Sequence, residues 1–248
     1  MFRRIFAAAL GAGIGVGVLI AALQHVALVP MILEAEHYEK RSTAPRHEHG
    51  SLLPQASAGA AALLFEAAQA HGGHDGVPTV AEDSPWRPLL TFIATTLISV
   101  GFALLLVGSY AVSGRQVDAR EGLLWGIAGF AAFALAPAFG LPPELPGSAV
   151  ADLFARQTWW IATAAAAAAA LGLMSFVRAS WSIPLGVALL IAPHLIGAPQ
   201  PADGAGLVPP ELAAAFAARS LGINAVLWAL LGLATGALYA RFGRAARA

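Results

Sequence analysis

The stretch IFAAALGAGIGVGVLIAALQHVALV, residues 5–29, holds twenty-five residues without one Asp, Glu, Lys or Arg. A helix rises about 1.5 Å per residue and the hydrocarbon core of a bilayer is about 30 Å thick. The run is therefore long enough to cross, and it far exceeds the short apolar region of a cleaved signal peptide. Arg3 and Arg4 precede it, and Gln24 and His25 lie about one turn inside its far end.

Working outward, comparable runs occupy residues 89–112, 122–139, 158–177, 181–197 and 221–240. The fifth is the shortest and carries Pro184 and Pro193, so a five-helix count competes with six. Composition agrees with lipid as the solvent. Hydrophobic residues make up 58% of the chain and charged residues 11%, with a mean hydropathy of +0.71, whereas soluble domains carry about 25% charged residues. The expected fold is all-α: a polytopic integral membrane protein of about six transmembrane helices arranged as hairpins. The 248 residues form one membrane domain with an extramembrane His/acid-rich loop at 30–88.

Charge orients the spans. With six, both termini share a side with the second and fourth connections. That side holds Arg3, Arg4, Arg115, Arg120, Arg178, Arg241, Arg244 and Arg247 against only Asp118 and Glu121. Of fourteen basic and fourteen acidic residues, six and twelve remain for the other side. The positive-inside rule then makes both termini cytoplasmic and the acidic face periplasmic.

Several chemistries are excluded by residue type. There is no Cys, which removes thiol nucleophiles, disulfides and iron–sulfur ligation. The single lysine, Lys40, lies in KRST and not in a phosphate loop, and neither H-E-x-x-H nor G-x-S-x-G occurs. No enzyme activity is expected. The formal net charge of zero leaves no basic footprint for nucleic acid.

Two connections resemble each other. LAPAFG at 135–140 leads to PPEL at 142–145 and Ala155-Arg156-Gln157 before a helix. IAPHLIG at 191–197 leads to PPEL at 209–212 and Ala218-Arg219-Ser220 before a helix. Pro30, Glu34 and Trp86-Arg87-Pro88 form a looser third copy. Transporters are often built from such repeats, with sites at the repeat interface. Glycines 11/15, 13/17 and 232/236 give G-x-x-x-G pairs, expected to let helices approach closely.

Five of the seven histidines fall in the 30–88 connection: His37, His47, His49, His71 and His74, with Glu34, Glu36, Glu39, Glu48, Asp75, Glu82 and Asp83 around them. Imidazole and carboxylate suit borderline divalent metals. If 34–41 is helical, Glu34, His37 and Tyr38 share a face. The bland reading is a solvated polar loop. The remaining histidines, His25 and His194, sit in spans, where an ionisable group is costly and usually faces a cavity. The candidate metal ligands are thus His25, Glu34, His37, His47, His49, His71, His74 and His194. We expect His25 and His194 to form an inner relay with Gln24, Glu34, Glu144 and Glu211 nearby. Alternatives are a haem protein or other membrane enzyme using those two histidines, or a non-transporting metal-binding scaffold.

The segments MFRRIFAAALGAG, QHVALVPMILEAEHYE, HEHG, GLLWGIAGFAAFALAPAFGLPPELPG, DLFARQTWW, APHLIGAP and VPPELAAAF, in that order, make the chain resemble the cobalt transporter subunit CbtA family. The resemblance implies an inner-membrane cobalt importer serving cobalamin synthesis, with cobalt as substrate and no permanently bound cofactor. It also implies a small single-span partner, CbtB-like, with its own histidine-rich segment. The family is usually described with five spans.

Overall fold

The computed structural model describes residues 2–42, 86–202 and 206–245, and all the regular structure among them is helical. Among the described residues eight α-helices follow one another: α1 (Phe2–Ala27), α2 (Val29–Ser42), α3 (Arg87–Ser113), α4 (Ala119–Phe130), α5 (Ala136–Ala138), α6 (Leu153–Phe176), α7 (Ser182–Ile196) and α8 (Pro210–Ala245). A π-helical segment, Ala131–Leu135, joins α4 to α5 without a break in direction. Among the described residues five helical stretches are long and apolar enough to cross a bilayer: 3–27, 87–113, 119–138, 153–176 and 210–244. α7 is as apolar but has only 15 residues, about 22 Å of helix against a core of about 30 Å.

Local chemistry sets the boundaries. Pro30 has no N–H to continue the ladder of α1, and the chain bends at Leu28 into α2. Asp118 Oδ1 accepts from Glu121 N at 2.9 Å and starts α4, and Asp152 Oδ1 accepts from Ala155 N at 2.9 Å and starts α6. Gly114 closes α3 at φ 67°, the left-handed conformation of a helix C-cap. Before Pro137 the Ala136 N–H reaches back five residues to Ala131 O. That wider turn keeps the proline ring off the carbonyl of the preceding turn, so the helix continues where an α-turn would clash. α8 begins eleven residues before the apolar run at 221–240. Pro210 fits a first helical turn, Glu211 favours its positive end, and the alanines that follow are strong helix formers.

Glycines decide which helices touch. A Cβ on Gly13 would strike the Val100 backbone and one on Gly17 the Thr96 backbone, so α1 lies directly on α3. Gly11 meets the Leu238 side chain of α8, while Gly15 faces nothing, so its pair does not act as a close-packing pair. The tightest seam joins α4 to α8. Gly122 and Gly126 lie against Gly232, Gly236 and the Trp228 carbonyl, and Trp228 covers Gly129. Around it Trp228 packs on Phe102 and stacks on Phe133, and Tyr110 and Thr235 share a hydrogen bond of 3.0 Å. α7 lies apart from this bundle and packs on α6.

The two ends of the bundle differ. Arg4 lies 3.6 Å over the Tyr239 ring and donates from Nε to Tyr239 O at 2.8 Å, which puts the beginning of α1 and the end of α8 together. Arg115 lies over Phe176 at the same end. At the opposite, acidic end the connections after α5 and α7 form a cap. Leu207 N donates to Gly147 O at 2.8 Å, and Leu145 and Val208 are buried in one cluster with Leu28, Met31 and Ala35.

Candidate functional site

The acidic end carries the charged chemistry, built first from α2. This helix is amphipathic: Met31 and Ala35 face inward, while Glu34, His37 and Lys40 are exposed. Glu34 and His37 thus lie on its outward face with half-buried Tyr38 beside them. Glu36 is instead buried at 7% exposure. Its carboxylate accepts two hydrogen bonds from the Arg87 guanidinium, at 2.5 and 3.4 Å. The pair ties α2 to the start of α3, across residues 43–85 that separate them in the sequence. The sequence repeat marks Glu34 as the outer glutamate of this copy; the inward stripe of α2 makes Glu36 the partner of Arg87.

The connection after α5 has an equivalent pair. Arg156, in the first turn of α6, donates to Glu144 Oε2 at 2.5 Å. Burial pushes the Glu144 carboxyl above its usual range, opposed by the Arg156 charge and its hydrogen bond. In the connection after α7 Glu211 is exposed in the first turn of α8, and Arg219 Nη1 contacts Met31 Sδ at 3.3 Å.

His25 and His194 stand on different helix pairs. His25, exposed on α1, has its ring centroid 6.1 Å from Phe92 of α3. Beside it Gln24 Oε1 accepts from Thr95 Oγ1 at 3.0 Å. His194, exposed near the end of α7, has its ring 5.8 Å from Trp159 of α6 and 6.0 Å from Phe139, both edge-on. Among the described residues no three of His, Cys, Asp or Glu come together as a metal-holding group. The structure therefore does not gather His25, His194, Glu34, Glu144 and Glu211 into one relay. His47, His49, His71 and His74 lie outside the described residues.

What the structure does gather is a cavity of about 720 Å³ between the ends of α5 and α7, floored by α6. Its walls are Leu135, Phe139 and Gly140 on one side and Leu190, His194 and Gln200 on the other. Gly140 is tucked against Trp159 and Ala198, where a side chain would collide. Trp159 Nε1 donates to Pro193 O at 3.2 Å and so fixes the end of α7. Trp159 lies six residues into α6, about 9 Å below its acidic end. The indole and Gln200 carry no sequence signal of their own. The matching prolines of LAPAFG and IAPHLIG do, because these are the two helix ends that meet here.

Among the described residues no carboxylate lines this cavity. Neither a curated protein nor a solved structure matches the chain. A family model does, over residues 2–240, from the first turn of α1 to the last turns of α8. Its description is a probable cobalt transporter subunit, and with nearly the whole chain matched the protein belongs to that CbtA family.

Proposed function

We propose that this protein is the permease subunit of a divalent-metal uptake system that brings cobalt across the inner membrane for cobalamin synthesis. The observation that carries the reading is the family match over nearly the whole chain. The segregation of arginines and acids to opposite ends of the sequence's connections supports it. With the arginine end in the cytoplasm, the acidic end faces the periplasm. There the connection with His47, His49, His71 and His74 captures the ion, and Glu34 and His37 stand on the helix that leads into it. A small single-span subunit with histidines of its own completes the system.

Imidazole sites bind nickel and copper more tightly than cobalt, so selectivity comes from geometry or metal supply. The chain has no phosphate loop. An inside-negative potential of 100 mV is worth about 2.3 kcal/mol per charge, or about 4.6 kcal/mol for a dication, enough to drive accumulation. Cells expressing the chain with the partner should accumulate radiolabelled cobalt several-fold above cells with the partner alone, and collapsing the potential should abolish the difference. Equal uptake in both would leave a scaffold, not a permease.

A further inference from the structure

The arginines at the two ends of the bundle are used differently. At the acidic end Arg87 is paired with Glu36 and Arg156 with Glu144. At the opposite end none of the described arginines has a carboxylate partner among the described residues, although Asp118 and Glu121 lie there. Arg4 is nevertheless held firmly. It lies 3.6 Å over the Tyr239 ring and donates from Nε to Tyr239 O at 2.8 Å. Its guanidinium also fills the place of a missing side chain: a Cβ on Gly243 would come within 2.6 Å of Cζ and Nη2 and 2.9 Å of Nη1. Tyr239 and Gly243 stand one turn apart on α8, so they form a single slot for the incoming side chain of α1.

The clamp leaves over the reactive end of the guanidinium. Nη1 and Nη2 have no hydrogen-bond partner among the described residues, and neither is sealed inside the protein. They form a planar fork that matches two oxygens of one phosphate and stays charged at every working pH. An arginine normally loses rotamer freedom when it takes such a partner. Here Tyr239 and Gly243 have already fixed it, so that cost falls on folding and not on binding. The level in the membrane is set as well. Arg4 immediately precedes the apolar run at 5–29, and Tyr239 lies at the end of the run at 221–240. The fork therefore stands where hydrocarbon gives way to headgroups. Arg3 and Arg244, each next in sequence to a member of the clamp, are exposed and add positive charge. A basic site between helix ends at the membrane surface is the chemistry that holds an anionic lipid headgroup.

We propose that the clamp of Arg4, Tyr239 and Gly243 is a binding site for the phosphate of an anionic phospholipid, with Arg4 Nη1 and Nη2 as the ligating groups, whichever ion the protein carries. The full chain, purified in a neutral detergent, is titrated with phosphatidylglycerol, with phosphatidylcholine of the same acyl chains, and with inorganic phosphate. Native mass spectrometry counts the bound lipid. A single phosphatidylglycerol should bind at least tenfold more tightly than phosphatidylcholine, and millimolar inorganic phosphate should not displace it. Arg4→Lys keeps the charge but loses the fork, and should cut that preference at least fivefold. Gly243→Ala changes no charge and brings in a better helix former, yet its methyl takes the guanidinium's place, so it should cut the preference as much. Arg241→Ala removes an exposed charge two residues from Tyr239, on another face of α8, and should change the preference less than twofold. If Arg4→Lys does not fold, Gly243→Ala decides, because the nearest atoms its methyl meets are the far end of the Arg4 side chain. Full preference in Gly243→Ala, or a loss in Arg241→Ala as large as that in Arg4→Lys, would mean diffuse charge and overturn the site. Displacement by inorganic phosphate would overturn the lipid as its ligand.

Discussion

The tetrapeptide PPEL occurs twice and folds in two ways. At 142–145 it is irregular, and Glu144 turns back onto Arg156 twelve residues later. At 209–212 it opens α8, and Glu211 stays exposed. The residues that follow make the difference. Pro146 and Gly147, the latter at φ 77°, stop any helix at once. Ala213, Ala214 and Ala215 carry it on, with Leu212 N and Ala213 N both bonded to Pro209 O at 3.1 Å. An irregular connection can fold a carboxylate back to an arginine. A straight helix keeps positions eight apart about 12 Å distant, so Arg219 goes to Met31 and Glu211 has no arginine from its own copy.

Removing the arginine from each copy should break this comparison most visibly. The side chains of Arg156 and Glu144 are 10% and 23% exposed, so Arg156→Met strands a largely buried carboxylate. We expect a loss of about 3 kcal/mol, the lower end of what breaking a buried pair costs. Arg219→Met, at an exposed position, should cost less than about 0.5 kcal/mol. Thermal unfolding of both variants in detergent measures the contrast. Equal losses would mean that the ion pair adds nothing to the first copy.

Grafting the first copy's stop signal into the second should come next in size. Ala213→Pro deletes the N–H bonded to Pro209 O and should cost about 2–3 kcal/mol unless the helix restarts later. Hydrogen exchange at residues 211–214 distinguishes the two outcomes. Lost protection there with the rest of α8 intact is expected. Protection that persists would show that the flanking residues do not decide the fold of PPEL.

These contrasts also mark how far the sequence could be read. The apolar runs and the sidedness of the arginines follow from residue type and spacing, whereas α6 starts at Leu153, five residues before its apolar run at 158–177. Contacts between elements do not follow from them. Gly11, Gly13, Gly15 and Gly17 look alike in a sequence, yet only 13 and 17 lie against the α3 backbone, because the face a helix presents is set by its neighbours. Glu34 and Glu36 differ only in the stripe of α2 they occupy. α8 starts eleven residues early because helix propensity outlasts hydropathy at its polar end. At the cavity, His194 was legible as an ionisable group in an apolar run. Trp159, Gln200 and the π turn were not, since their roles come from the meeting of two helix ends.

A third contrast concerns Gly147 itself. Its carbonyl accepts from Leu207 N and ties the connection after α5 to the one after α7, and its φ is 77°, so Gly147→Ala strains the point where the two copies touch. An L residue there costs about 1–2 kcal/mol. Ala149→Gly, in the same connection but with no such bond to the second copy, serves as the control.

The smallest effect is the pH dependence of Glu144. Burial raises its carboxyl in the folded state above the unfolded value of 4.5. A raised carboxyl means that the folded protein binds the proton more tightly than the unfolded one. The resulting stabilisation is full below about pH 4.5 and is lost as pH rises through the higher folded value. Wild type should therefore gain stability relative to Glu144→Gln as pH falls from 7 toward 4.5, and the melting-temperature gap between them should move in that direction. The same pair of scans on Glu211→Gln supplies the baseline of the second copy. A Glu144 gap that stays flat, or moves the other way, would mean that Arg156 outweighs burial at the acidic end. The connection after α5 would then hold an ordinary ion pair, and not a carboxylate strained by its surroundings.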